Sequence, residues 1–178
     1  MSNVRTVVMM IVVAGTLWPA RAQAGQGRPV ELGVGTGGVL SWLDGATAPG
    51  ADLRVSLPFT DRTDIEPLIA LRFTRQDGRV EGFYGAHMRR RIGMHRDDAT
   101  FQPYATFGLI GLFMHTRESF GSSHAVVSPP FLMLVGGGVQ HPVNGRLAVR
   151  VEAQAVTFLF MPLGMRVATG VSVATGHR

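Results

Sequence analysis

Hydrophobic and polar residues alternate with a period of two along most of this chain, and no window beyond residue 24 shows the i, i+3, i+4 pattern of an amphipathic helix. The stretch from Ala51 to Phe59 shows the alternation best. Ala51, Leu53, Val55, Leu57 and Phe59 share one face, and Asp52, Arg54 and Ser56 share the other. Successive side chains of a strand point to opposite faces, so the pattern predicts β structure with almost no helix. Clusters of Gly, Pro, Asn and Asp mark the turns. They predict eight strands, over 30–41, 50–59, 63–75, 80–92, 100–114, 130–142, 146–158 and 164–175. The predicted connections are Asp44-Gly45 with Pro49-Gly50, Thr60-Asp61-Arg62, Gln76-Asp77-Gly78, a segment around His95 to Asp98, a long loop over 115–129, Asn144-Gly145 and Met161-Pro162.

Strand length and the content of the two faces narrow the fold class. Strands of about ten residues cross an apolar layer when tilted by roughly 40°, whereas soluble strands mostly run to about 5 or 6 residues. One face carries Ile65, Ile69, Leu71, Phe73, Phe107, Leu109, Phe113, Leu147, Val149, Val151, Val167, Val171 and Val173. The other carries Asp52, Arg54, Glu66, Arg72, Glu81, His87, Arg89, Arg150, Glu152 and Arg166, with Gly85, Gly108, Gly136, Gly138, Gly170 and Ser172 between them. Opposite charges interleaved with glycines suit a narrow, crowded interior. The bulkier Phe83, Tyr104, Leu132 and Leu134 are expected to help plug it. The expectation is therefore an all-β, single antiparallel up-and-down β-barrel of about eight strands, transmembrane, with the apolar face toward lipid. Trp42, Phe59, Phe73, Phe101, Phe113, Phe131 and Phe158 fall near strand ends, where membrane barrels place aromatic girdles.

Composition agrees with this picture. Charged residues are only 16% of the chain and hydrophobic ones 46%, against about 25% charged for typical soluble domains. Residues 1–24 read as a cleaved secretory signal peptide, with Arg5, an apolar run from Val7 to Leu17, and the small-x-small site Ala22-Gln23-Ala24. That run is about half the roughly 20 residues a spanning helix needs. Its removal, with Arg5 and Arg21, leaves residues 25–178 as one barrel domain of net charge +3. With no cysteine, the chain has no disulfide, thiolate metal site or lipoprotein anchor. The mild charge and export signal together argue against nucleic acid as a partner.

At this point the chain resembles the OmpA-like eight-stranded outer-membrane β-barrel family, transmembrane barrel domain only. The resemblance rests on Phe101-Gln102-Pro103-Tyr104-Ala105-Thr106-Phe107-Gly108, Val135-Gly136-Gly137-Gly138-Val139, Leu147-Ala148-Val149-Arg150-Val151-Glu152 and Gly170-Val171-Ser172-Val173. It implies location in the cell outer membrane, outer-membrane lipids including lipopolysaccharide as partners, a monomer, and a structural or surface-interaction role without catalysis. Two features depart from the family's pattern. The chain ends Gly176-His177-Arg178 where these barrels carry a terminal aromatic, and no peptidoglycan-binding domain follows.

The remaining motifs carry little chemistry. Gly33-Val34-Gly35-Thr36-Gly37-Gly38 matches the G-x-G-x-x-G string of dinucleotide sites, but no strand-helix-strand unit surrounds it, and glycines in a curved first strand account for it. The six histidines show no metal-ligand spacing; His115 and His124 merely flank one loop. Lipid A deacylases and acyltransferases include barrels of this size, and Ser119, Ser122, Ser123, His115, His124 and Glu118 cluster near that loop. The deacylase pattern resembles H-x-S, and no His here precedes a Ser by two. No catalytic, cofactor-binding or metal residue is assigned, and no cofactor is expected. Two alternatives remain: a soluble periplasmic or secreted lipocalin-like barrel with its apolar face inward around an apolar ligand, and a lipid A-modifying outer-membrane enzyme. The basic run Arg89-Arg90-Arg91, with Arg96 nearby, is expected at a strand end, where guanidinium groups can meet lipid phosphates.

Overall fold

The computed structural model describes residues 28–41, 47–73, 80–93, 100–117, 123–159 and 161–175. The predicted signal peptide lies outside them, as do Trp42, Arg96, Glu118, Ser119 and Ser122. The alternating segments form strands β1 (Val30–Ser41), β2 (Thr47–Pro58), β3 (Thr63–Phe73), β4 (Val80–Arg91), β5 (Gln102–Arg117), β6 (Ser123–Val127), β7 (Leu132–Pro142), β8 (Leu147–Phe158) and β9 (Met161–Thr175). No helix occurs among the described residues. Every pairing is antiparallel, and β9 pairs back onto β1 from Val30↔Thr175 to Ser41↔Gly164. The sheet thereby closes into an eight-stranded barrel in the order β1-β2-β3-β4-β5-β7-β8-β9. Closure leaves no edge around the main wall.

Three expectations about connections are corrected. The expected loop over 115–129 is largely a hairpin: β5 runs on to Arg117, and β6 pairs with it from Phe113↔Val127 to Arg117↔Ser123. Ala125-Val126-Val127 has the strand propensity for this, but Ser and Pro punctuation on both sides hides so short a run. Pro49-Gly50 lies inside β2 opposite Gly38 and Gly37, and Met161-Pro162 opens β9 opposite Phe158 and Thr157. Prolines next to the strand ends, where ladder bonds are sparse, are tolerated.

Two irregularities shape the wall. Between β7 and β6, Pro129 and Pro130 interrupt the sixth wall strand, and Ser128 carries the ladder across. Its N–H donates to Leu112 O at 2.9 Å, and its Oγ accepts from Leu112 N–H at 2.8 Å. A bulge between Val156 and Thr157 adds Leu163 to β9, and Leu163 packs against the interior apolar cluster. The junctions β2–β3, β4–β5 and β7–β8 fall at the end where β1 begins and β9 finishes, here the turn end. The junctions β1–β2, β3–β4, β5–β6 and β8–β9 fall at the opposite, loop end.

Candidate functional site

The barrel interior holds the groups of chemical interest, and alternation puts them there. Asp52, Arg54, Glu66, His87, Arg89, Arg150, Glu152 and Arg166 are all buried. Leu53, Phe107, Leu109, Val151 and Val167, from the other register of the same strands, are exposed. Among the described residues, outward mid-strand positions carry no Asp, Glu or Arg; Arg90, at the turn end of β4, is exposed. The faces are therefore as the period-two pattern assigns them. The apolar face that a lipocalin-like barrel would turn inward points outward.

The lumen charges form two networks. Midway along the barrel, Arg54 bridges Asp52 (Nε to Oδ1, 2.9 Å) and Glu152 (Nη1 to Oε2, 2.8 Å). Arg166 pairs with the same two carboxylates and donates to Gln154 Oε1 at 2.6 Å. Two acids and two arginines balance, which buried charges require, because an uncompensated one costs several kcal/mol. Nearer the turn end, Glu66 receives Arg150 at 2.9 Å and His87 Nε2 at 2.9 Å, and Ser56 Oγ donates to it. Asp64 binds Arg89 at 2.6 Å and pairs with Arg28, while Glu31 sits 3.1 Å from Arg150. Tyr104 links the two networks, with its hydroxyl 3.2 Å from Glu152 and its ring 5.7 Å from the Arg89 guanidinium.

The glycines of β1 make room for these side chains. A Cβ on Gly33 would stand 2.8 Å from Arg54 Cγ, and one on Gly35 would stand 2.7 Å from Asp52 Oδ2. The G-x-G-x-x-G string is thus the thin wall opposite a bulky ion pair, with no helix or phosphate cradle.

The geometry does not support nucleophilic chemistry in the lumen. Ser56, Glu66 and His87 adjoin, but the carboxylate stands between hydroxyl and imidazole, whereas a triad needs the imidazole in the middle. All three are buried. Among the described residues, no group of three or more His, Asp or Glu is placed to hold a metal ion. The loop cluster of Ser119, Ser122 and Glu118 lies outside the described residues, and of His115, Ser123 and His124 only the backbone is described. The basic run splits, because alternation sends Arg89 into the lumen, 1% exposed, and aims Arg91 toward Asp64 and Glu31 at 3.7 and 3.9 Å. Only Arg90 of the three faces outward, so the run offers one outward guanidinium at this strand end. Glu31, Asp64, Gln140 and Gln154 were not singled out from the sequence, although each lies two residues from a residue that was.

Toward the loop end the lumen changes character. Leu68, Ala70, Phe83, Ile110, Leu132, Leu134 and Val156 form an apolar cluster, and above it opens a cavity of about 460 Å³. Arg72 and Glu81 flank it, 3.9 Å apart. The aromatics reach both ends: Phe59 and Phe101 are exposed at the turn end, and Phe131 is exposed at the loop end, edge-on to Phe158 at 5.7 Å.

No protein-family model matches the sequence, and no curated protein matches it. Solved structures of similar fold are found. Neisserial surface protein A superposes with a TM-score of 0.64 at 12% identity, over 84% of this chain and 98% of that one. The N-terminal β-barrel domain of Pseudomonas aeruginosa OprF gives 0.60 at 11% identity, over 82% and 97%. Ail, the attachment invasion locus protein of Yersinia pestis, gives 0.51 at 13%, over 81% and 95%. At such identities the likeness shows the closed eight-stranded fold alone.

Proposed function

We propose that this chain is an integral outer-membrane protein of the OmpA-like kind, a monomer exported by its cleaved leader (residues 1–24), with a structural or surface-interaction role and no catalysis. One observation carries the reading: the exposed apolar belt of Leu53, Phe107, Leu109, Val151, Val167 and Val171 encircles a buried, ion-paired interior, the inverse of a protein dissolved in water. Aromatic residues at both ends of that belt support it, and so does the fold shared with barrels such as OprF. Lipids of the outer membrane, lipopolysaccharide included, are the expected neighbours of the belt. Among the described residues, no nucleophile, base and carboxylate are assembled in the order a lipid A-modifying hydrolase would need.

The turn end would face the periplasm. Loop lengths do not decide this, because the connection at 92–101 is ten residues while 118–122 and 159–160 are five and two. Crossing costs favour it instead. An exported chain reaches the membrane from the periplasm, and the short loop-end connections are cheaper to carry across than the ten-residue segment.

The protein is expected to stay with membranes through an alkaline carbonate wash and to migrate faster on a gel before boiling than after. Full release by carbonate, together with identical mobility in both samples, would refute membrane insertion. Because the networks fill the lumen, no steady conductance is expected in planar bilayers. Long-lived open channels there would show the lumen to be unplugged.

A further inference from the structure

Three features at the loop end point to a ligand. The first is an apolar lining where the barrel is not plugged: inward-facing Leu112 and Met114, level with Phe83 and Glu81 on β4, are 45% and 38% exposed, and Val126 beside Met114 is 60% exposed. A cavity of about 460 Å³ lies among them, inside the range of roughly 300–1,000 Å³ typical of small-molecule sites, which are mainly apolar with a few fixed polar groups. The second is an opening in the wall. Among the described residues β6 pairs only with β5, so its other edge is unpaired there, and the neighbouring β8–β9 ladder ends low, at Phe158↔Met161. The third is an unused donor, since Arg72 Nε is buried without a hydrogen-bond partner while Arg72 lines the cavity.

Their chemistry converges on one class of molecule. A flexible unbranched chain can enter past the β6 edge and cover Leu112, Met114 and Ile110, but the volume leaves no room for several chains side by side. A guanidinium with a free donor, only loosely held by Glu81 at 3.9 Å, favours an anionic oxygen at the head. A neutral apolar molecule would leave that donor unsatisfied. We infer that the loop-end cup is a binding site for one medium-chain fatty acid, with its alkyl tail against Ile110, Leu112 and Leu132 and its carboxylate at Arg72. The membrane reading matters here only for the route of entry, and the carbonate wash tests that reading separately.

The test uses the full barrel in phosphatidylcholine nanodiscs, with methyl-labelled Ile, Leu, Met and Val, titrated with dodecanoate and, in parallel, dodecanol. Saturable shifts of the Ile110, Leu112, Met114 and Leu132 methyls are expected with dodecanoate. Leu112→Trp, which fills the cup, should weaken this binding at least tenfold. Arg72→Gln should weaken dodecanoate several-fold and leave dodecanol unchanged. Met114→Trp, at the mouth, replaces Leu112→Trp if the latter loses the fast-migrating gel band. Shifts that never saturate and fall on the outward methyls of Val149 and Val171 would mean partition into the bilayer and overturn the site. Equal loss of dodecanoate and dodecanol in Arg72→Gln would overturn the carboxylate contact. Contacts from bilayer lipid chains to Ile110 before any addition would overturn the free acid as occupant.

Discussion

The two halves of the lumen are built by the same alternation and filled with opposite chemistry. At the turn end and middle, inward positions are occupied by Arg54, Glu66, Arg89, Arg150, Glu152 and Arg166, each buried and each engaged by opposite charge. At the loop end the inward positions are Phe83, Ile110, Leu132, Leu134 and Val156, and beyond them the space stays open. The contrast separates two ways of filling a narrow barrel. Charges fill it only as a closed set, because each is costly without its partner, so this half tolerates little change. Apolar residues have no such mutual requirement, so packing stops short here and leaves a cup.

Substitution can break that contrast. Glu152→Leu leaves Arg54 and Arg166 with too few carboxylates and should destabilise the barrel by about 3–5 kcal/mol, while Val151→Ala, facing out, should cost less than about 1 kcal/mol. Urea unfolding in lipid vesicles measures both, and equal losses would mean the faces are misassigned. Next in size, Leu134→Ala, fully buried at the base of the apolar half, should cost about 2–5 kcal/mol. Leu112→Ala, whose side chain lines the open cup, should cost well under half of that. If the two match, the cup is packed as tightly as the core below it. The smallest effect sharpens the picture at the rim. Leu159 holds φ at 44° in the tight β8–β9 turn and is exposed, a conformation that costs a bulky L-residue about 1–2 kcal/mol. Leu159→Asn should therefore raise stability by less than about 1 kcal/mol in the same unfolding assay, and a loss would show that the turn depends on the leucine side chain.

Much of this was legible in the sequence, for a geometric reason. Side-chain direction in a strand depends only on parity, so Asp52, Arg54 and Ser56 could be placed inside and Leu53 and Val55 on the opposite face before any strand was paired. The pairing of the charges was not legible, because closure brings together residues far apart in the chain. Arg54 meets Glu152 from 98 residues away, and Arg150 meets Glu66 from 84. The cup was not legible either. Leu132 and Leu134 have the same inward parity as the plugging residues, and only coordinates show that the filling ends above them. The β5–β6 hairpin was missed because Pro129-Pro130 signals a loop so strongly, and nothing local shows that Ser128 bridges the gap.

The seam between β1 and β9 has a consequence for the order of assembly. Its twelve registered pairs join Val30 to Thr175 across almost the whole described chain, so the first strand in sequence is among the last to find both its neighbours. Until 161–175 arrives, a partly formed sheet has two raw edges, and each is a template for another chain. Joining sequence-distant ends is also slow. In the interval before that joining, the half-made sheet, with its arginines not yet countered, is the form most open to pairing with a second copy.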